Sequence, residues 1–241
     1  MENYYFSAEY AKDYWRWIKI WERIKDHKKS TLNDIILSDL QQDIINSKDA
    51  ALAFFLSHFT DYKKHLMQQV IIDAKSPKYA YLFAANIKGA DIKSLQNIVI
   101  NSKNIKYICW FGCFIKGADK EKIDKLIVKS NNPKWACMWL RFYRDCDINK
   151  LKTIIIKSKK LKPQFLFELA QHLTDPQDIK KIEGLIIKSK SYKYIRLFAQ
   201  KIEGANIKRL EKAILDSGNI KEIKLFAKIK GSMIGNFGLM I

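Results

Sequence analysis

Residues 78–102 read KYAYLFAANIKGADIKSLQNIVINS, and two later stretches repeat this pattern. Residues 106–130 read KYICWFGCFIKGADKEKIDKLIVKS, and residues 193–217 read KYIRLFAQKIEGANIKRLEKAILDS. Each stretch opens with a lysine and an aromatic residue, and a KG or EG pair divides it. Self-similarity at a fixed period is the sequence signature of a repeat architecture. The comparison therefore extends to the rest of the chain.

The position after the opening lysine recurs at a nearly constant interval. Its equivalents are residues 51, 79, 107, 135, 163, 194 and 222, which are 28 residues apart except for one step of 31. We expect the three extra residues of that step around Thr174–Pro176. Four positions further on, each unit has an aromatic residue: Phe55, Phe83, Phe111, Trp139, Phe167, Phe198 and Phe226. Because aromatic residues make up only 12% of the chain, this position is predicted to be a core position of a repeat.

Each unit is predicted to be a pair of short helices, helix A and helix B. Glycine takes up a left-handed backbone at low cost, so it favours the end of helix A. Such glycines are Gly89, Gly117 and Gly204. Short polar residues cap helix N-termini, which places the start of helix B near Asp91, Asp119, Asp147 and Asn206. The apolar spacing Leu95, Ile98, Val99 indicates a helical face.

The predicted fold is therefore all-α: an α-solenoid of about seven 28-residue helix-hairpin repeats with a divergent N-terminal helix pair. Within one continuous domain, residues 1–47 are N-terminal capping helices, comprising an amphipathic helix over 8–26 and a B-like helix over 36–47. Residues 48–230 are the repeat array, and 231–241 are an apolar C-terminal tail that we expect to fold over the last repeat. The pattern resembles HEAT-like and TPR-like helical-repeat proteins in architecture only, so the resemblance implies a fold and no functional residue.

The net charge of +19 is distributed unevenly. Residues 1–100 hold 14 basic and 12 acidic residues, whereas residues 101–241 hold 30 basic and 13 acidic residues. Lysine provides 38 of the 44 basic residues, and there are 35 Ile against 3 Val, a bias typical of an AT-rich genome. Codon bias acts on both parts alike, so the asymmetry indicates a polyanionic partner for the second part.

Lysines recur at fixed places in the repeat. Those opening helix A, the anchor lysines, are Lys78, Lys106, Lys134, Lys162, Lys193 and Lys221; others fall in the turn before it. A cation is mildly unfavourable at a helix N-terminus, so helix electrostatics does not explain them. Packed helices lie about 8–10 Å apart, a pitch near three nucleotide rises. The predicted polyanion-binding residues are Lys103, Lys106, Lys134, Lys159, Lys162, Lys190, Lys193 and Lys221. The alternative is a solvated edge inherited by repeat duplication.

The fourth repeat departs most from the pattern. Trp135 replaces the usual tyrosine, Arg141 stands where other repeats have smaller or uncharged residues, and Arg144 follows. An aromatic ring with arginines would suit base stacking or an interface anchor. These three residues are therefore candidates for specificity, and drift in a single repeat is the alternative.

No catalytic residue, metal site or cofactor is predicted. Cys109, Cys113 and Cys137 would lie close together, but no histidine accompanies them, so we interpret them as core residues. The sequence has no Gly-rich phosphate loop, nucleophile motif or HExxH.

Three functions fit these patterns. The first is non-catalytic binding of a polyanion, either a nucleic-acid backbone or an acidic protein surface, through the basic C-terminal part. The second is a protein–protein interaction scaffold, for example a viral or phage protein acting on a host factor, whose charge reflects codon bias. The third is a DNA glycosylase of the HEAT-like type, which the chain resembles in size, charge and helical repetition.

The same patterns bear on location and assembly. No apolar run reaches 18 residues and the N-terminus has no signal-peptide pattern, so we expect no membrane partner. The expected location is the cytosol, or the host cytosol for a viral protein. Self-association through the terminal repeats is the remaining partner prediction.

Overall fold

The computed structural model describes residues 32–60, 63–159 and 161–237, together with Trp15, Ile18, Lys19 and Glu22. Between residues 32 and 237 it contains 14 helices and, in the described part, no strand. Their bounds are α1 (Leu32–Ser47), α2 (Ala50–Phe59), α3 (Lys64–Asp73), α4 (Pro77–Asn86), α5 (Ile92–Asn101), α6 (Ile105–Phe114), α7 (Lys120–Ser130), α8 (Pro133–Phe142), α9 (Ile148–Ile156), α10 (Pro163–Ala170), α11 (Pro176–Lys188), α12 (Tyr192–Lys201), α13 (Ile207–Leu215) and α14 (Ile220–Phe237). The predicted all-α helical-repeat fold is confirmed.

The helices fall into two compact units, residues 1–123 and 124–241, here called the first and second halves. In the first half, α2 pairs with α3 and α4 with α5, and the A helices α2, α4 and α6 pack in sequence. In the second half, α8, α10 and α12 pair with α9, α11 and α13. There the A helices α8, α10, α12 and α14 pack in sequence. Each of these hairpins thus buries its apolar face against its neighbours, as a repeat array requires.

The predicted caps start the B helices. The carboxylates of Asp91, Asp119 and Asp147 each accept a hydrogen bond from the backbone N–H three residues on, at 2.9–3.1 Å. Asn206 makes the same bond to the N–H of Arg209 at 3.1 Å. These bonds satisfy amide groups that the first helical turn leaves unpaired.

Left-handed residues separate the helices in both kinds of turn. Gly89, Gly117 and Gly204 have φ of 82°, 86° and 77° between helices A and B, which confirms their predicted role. In six turns into a helix A, all except the one before α10, the residue before the N-cap is also left-handed. Only one such residue is glycine, and φ lies between 49° and 65°: Lys48, Lys75, Lys103, Asn131, Lys190 and Gly218. The repeat therefore holds lysine where the backbone favours glycine.

The core position of helix A is largely as predicted. Phe83, Phe111, Trp139, Phe198 and Phe226 are at most 4% exposed. The prediction is wrong by one residue in the first repeat and by two in the fifth. By distance from the helix N-cap, the equivalent residues there are Leu56 and Leu169, both fully buried. The predicted Phe55 is also buried, whereas Phe167 is only half-buried.

The shift in the fifth repeat comes from where its extra residues lie. The N-cap of α10, Lys162, is 30 residues beyond the N-cap of α8, Asn132, so two extra residues precede α10. Asp175 caps α11 exactly one 28-residue period after Asp147 caps α9. The predicted insertion around Thr174–Pro176 is therefore wrong: the turn before α10 and the 13-residue α11 contain the additional length.

Hydrogen bonds between consecutive B helices recur at a separation of 23 residues. The Gln68 side chain accepts from the Asp91 N–H at 2.9 Å, and Gln96 accepts from the Asp119 N–H at 2.8 Å. In the second half, Glu183 accepts from the Asn206 N–H at 2.8 Å. Each bond fastens the start of one B helix to the B helix before it.

The chain ends are described only in part. Helix α1 includes the predicted B-like segment 36–47 and packs against α2 and α3. The predicted helix 8–26 lies outside the described residues except for four helical positions, of which Trp15 is 63% exposed. Helix α14 continues through Phe237, and residues 238–241 lie outside the description. In the part that is described, no helix is both long and apolar enough to cross a bilayer.

Candidate nucleic-acid interface

The two edges of the second half differ in charge. We define the lysine edge as the last turn of each helix B with the first turn of the next helix A: residues 127–135, 154–165, 186–194 and 213–222. By sequence it holds ten lysines and two acidic residues, Asp216 and Glu222. The opposite edge, residues 141–150, 169–178 and 200–209, holds six basic and five acidic residues. The repeat thus separates charge between its two kinds of turn.

Helix capping explains part of this separation. In the second half, aspartate caps two of the three B helices, Asp147 before α9 and Asp175 before α11, which places carboxylates on the opposite edge. Of the two acids on the lysine edge, Glu222 is neutralised by Arg196, whose Nε donates to it at 2.8 Å. The lysine edge therefore presents cations to solvent with little local compensation.

Anchor lysines lie over aromatic rings, a contact that the sequence pattern did not reveal. The Nζ of Lys134 is 4.6 Å from the ring centre of Trp135, and that of Lys106 is 4.7 Å from Trp110. Equivalent distances are 4.9 Å for Lys78 over Tyr79 and 5.7 Å for Lys193 over Tyr194. A cation over a ring is stabilised by about 0.5–1 kcal/mol at an exposed site. These lysines therefore have a structural reason to be present that does not depend on any ligand.

Lys162 does not share the place of the other anchor lysines. It is the N-cap of α10, whereas Lys134 and Lys193 occupy the second residue of their helices, a place that Gln164 takes in α10. Its Nζ still reaches to 5.9 Å from the ring centre of Phe165. The prediction that it occupies the same helical position is wrong, although Lys162 remains exposed on the lysine edge.

The other predicted binding lysines lie in the turns or first turns where the sequence placed them. Lys103 and Lys190 are the left-handed turn residues, with φ of 56° and 53°. Lys159 lies in the longer turn before α10, and Lys221 in the first turn of α14, both well exposed. Lys103 and Lys106 belong to the first half, and the remaining six to the second.

The specificity candidates of the fourth repeat do not form a stacking platform. Trp135 is only 8% exposed, packed in the core beneath Lys134, so it has no free face for a base. Arg141 makes a two-point hydrogen bond and ion pair with Glu168 of the next helix A. Arg144 is exposed on the opposite edge. The structure therefore gives Trp135 and Arg141 packing and inter-repeat roles.

The four cysteines carry free thiols. The Sγ atoms of Cys109 and Cys113 are 3.9 Å apart, and that contact together with burial raises the pKa of Cys109. Burial raises the pKa of Cys137 to about 12 and that of Cys146 to about 11. Across the described part of the chain, no three His, Cys, Asp or Glu side chains are grouped closely enough to hold a metal ion.

A groove between α11 and α13 gathers cations that the sequence analysis did not single out. One part, about 400 Å³, is lined by Gln177, Lys180, Lys181, Gly184, Leu185, Lys188 and Arg209. A second part, about 420 Å³, is lined by Ile187, Lys190, Tyr192, Ile195, Arg209, Lys212, Ala213, Asp216 and Ser217. Arg209 lines both. The i, i+7 spacing of Lys181 and Lys188 places both lysines on one face of a helix, and it was the sequence signal that could have pointed to this groove.

Arg209 is held in place by a buried carboxylate. Glu183 is 1% exposed, and its two oxygens accept from the Arg209 Nη1 at 3.1 Å and from the Asn206 N–H at 2.8 Å. Both acceptor atoms of the carboxylate are thereby satisfied, as burial of a charge demands. The Arg209 side chain is 47% exposed and remains open to the groove.

No family model, curated protein or solved structure matches this chain.

Proposed function

We propose that this protein is a non-catalytic nucleic-acid-binding helical repeat that contacts the phosphate backbone through the lysine edge of its second half. The observation that carries the proposal is the separation of charge, ten lysines against two acids on one edge and six basic against five acidic residues on the other. Codon bias supplies lysines without regard to the face on which they lie. Phosphate groups are recognised mainly by such exposed cations.

The left-handed lysines add a second line of support. A left-handed backbone costs an L-residue about 1–2 kcal/mol, and glycine avoids that cost. In the second half, Gly218 shows that glycine fits this place in the repeat, yet Lys190 occupies it, as Lys103 does in the first half. A charged side chain retained at a strained turn position is consistent with a use for its charge.

A protein-interaction scaffold is the second candidate, because one apolar position recurs at the surface. Helix A ends in an aromatic residue in three repeats, and these rings are 39–40% exposed: Phe59, Phe114 and Phe142. Exposed aromatic residues are enriched in protein interfaces. The two candidates use different edges of the repeat, so variants separate them.

The test compares two charge-matched triple variants in a salt titration with a labelled 20-bp duplex and a labelled 20-nucleotide strand. Lys134→Gln, Lys190→Gln and Lys193→Gln remove three exposed cations from the lysine edge; no described carboxylate pairs with them. The control, Arg144→Gln, Lys201→Gln and Lys208→Gln, removes three from the opposite edge. Circular dichroism verifies that both remain folded.

The lysine-edge variant should bind more weakly, and its slope of log K against log salt on the duplex should flatten by about 2.7, from roughly 0.9 per phosphate contact. The control should leave the slope nearly unchanged. If the two variants lose affinity equally, the loss reflects net charge alone and the lysine edge is not the binding surface. Absence of wild-type binding at 50 mM salt would reject the proposal and favour the scaffold.

A further inference from the structure

The groove between α11 and α13 has two chemically different parts. The part lined by Lys180, Lys181 and Lys188 contains four cations, counting Arg209, and no acidic residue. The other part adds apolar surface from Ile187, Tyr192 and Ala213 to Lys190, Arg209 and Lys212, with Asp216 as its one acid. Ile195 lies behind this part and is fully buried. Polar cations beside an apolar, aromatic-lined recess match the two halves of a nucleotide, a charged phosphate and a flat base.

Arg209 stands where the two parts meet. Glu183 fixes one amino group of the guanidinium, and a planar guanidinium has further donors that suit phosphate oxygens. Gly184 lies beside the guanidinium, since a Cβ built on it would be in ordinary van der Waals contact, 3.7 Å from the Arg209 Nη2. A residue held by a buried partner loses less conformational entropy when it binds a ligand.

We propose that this groove is a subsite for single-stranded nucleic acid, in which Arg209, Lys181 and Lys188 bind backbone phosphates and the recess beside Tyr192 takes an unpaired base. This inference rests on the proposed function and narrows it, because a base enters a recess of this kind only when it is free of a duplex. Proteins that bind single strands combine cationic grooves with aromatic side chains in this way. Lys188 and Lys190 belong to both the groove and the lysine edge, so a strand on that edge has a continuous cationic path to the subsite.

The test measures fluorescence anisotropy with four labelled 12-unit probes: oligothymidylate, oligouridylate, an abasic strand with the same phosphates, and a duplex. We expect oligothymidylate or oligouridylate to bind at least about fivefold more tightly than the abasic strand, the lower bound for one stacked base. The ranking of the first two assigns the subsite to DNA or RNA. Equal affinity for pyrimidine and abasic strands overturns the base recess.

Matched variants locate the effect. Tyr192→Leu keeps apolar bulk and should lose the preference for bases, whereas Tyr194→Leu on the same helix should keep it. Arg209→Gln should weaken binding of every single strand at least fivefold more than Lys208→Gln, which removes the same charge from a neighbouring exposed residue. Loss of Arg209 leaves the buried Glu183 without its cation. The double variant Lys181→Gln, Lys212→Gln is therefore a second groove variant, which removes two cations from the groove and leaves the Arg209–Glu183 pair intact.

The outcomes separate the two proposals. If no probe binds, the proposed function fails and the subsite with it. If all probes bind but the groove variants equal their controls, nucleic-acid binding stands and the subsite is rejected. If polyglutamate competes as well as oligothymidylate at equal charge, the groove is an unselective anion site and the single-strand assignment is rejected.

Discussion

The register of the fifth repeat gives a prediction on which the sequence period and the structure disagree. A strict 28-residue period from Trp139 puts the core residue of α10 at Phe167, but the structure puts it at Leu169. Leu169 is fully buried, whereas Phe167 is half-buried and meets Tyr194 at a ring-centre distance of 6.0 Å. The two alanine substitutions therefore test which registration is correct.

Leu169→Ala should cost about 2–5 kcal/mol, since it removes a fully buried leucine and leaves a cavity. Phe167→Ala should cost about 1–2 kcal/mol, because only part of the ring leaves a buried environment and one aromatic contact is lost. Phe198→Ala, at the same repeat position in α12 and fully buried, is the reference and should cost about 3–5 kcal/mol.

Urea unfolding followed by circular dichroism gives the overall loss. Contacts in a repeat array are local, so unfolding need not be two-state. Hydrogen exchange therefore supplies the second measurement, and the loss of protection should concentrate in α10 and its neighbours α8 and α12. A larger loss for Phe167→Ala than for Leu169→Ala, with Phe198→Ala behaving as stated, would refute the structural registration.

Three further predictions concern single residues. Burial raises the pKa of Cys137 to about 12, so it should resist alkylation at pH 8 in the folded protein and react readily in urea; equally fast reaction in both states would contradict its burial. Lys103→Gly should raise the unfolding free energy by about 0.5–1 kcal/mol, because glycine avoids the cost of the left-handed backbone but loses more conformational entropy on folding. A decrease in the urea midpoint would show that other contacts hold the lysine. Hydrogen bonds from the Lys150 side chain and N–H lower the pKa of Asp147 in the folded state. The ionised carboxylate therefore stabilises the fold above the unfolded pKa near 4, and this stabilisation is lost as the pH falls through the folded pKa. Asp147→Asn, which keeps the cap, should weaken the acid dependence of the melting temperature, and an unchanged dependence would assign it to other carboxylates.

Local chemistry made the helix pattern readable from the sequence. An aspartate or asparagine before helix B and a glycine after helix A act within a few residues, so their roles at Asp91 and Gly89 could be predicted without tertiary information. The exact registration could not, since Phe165 and Phe167 are both aromatic and a fixed period does not locate an insertion. Packing places neither of them at the core position, which Leu169 occupies.

The candidate interface was less accessible to sequence reasoning. The lysine edge followed from the repeat because equivalent positions share an edge. The Arg209–Glu183 pair joins residues 26 positions apart on two B helices. The pair one junction earlier, Lys152–Asp178, has the same separation but the opposite polarity, so the repeat pattern does not indicate either pair. The contact of anchor lysines with rings depends on side-chain direction, which spacing does not specify. Trp135 was misjudged for the same reason, because its neighbours cover its ring.

The 23-residue hydrogen bonds between B helices have a mechanical consequence. At the junction of the fourth and fifth repeats, Lys152 occupies the place of the accepting glutamine and donates instead to Asp178 at 2.5 Å, an ion pair with both side chains about one-fifth exposed. The next junction, between α11 and α13, is held by Glu183, which is buried and accepts a backbone hydrogen bond from Asn206 besides its ion pair with Arg209. Salt weakens a solvent-accessible ion pair more than one whose carboxylate is buried. Pulled from its ends at high ionic strength, the second half should part first at the junction of the fourth and fifth repeats, so that one intermediate extension precedes the rest.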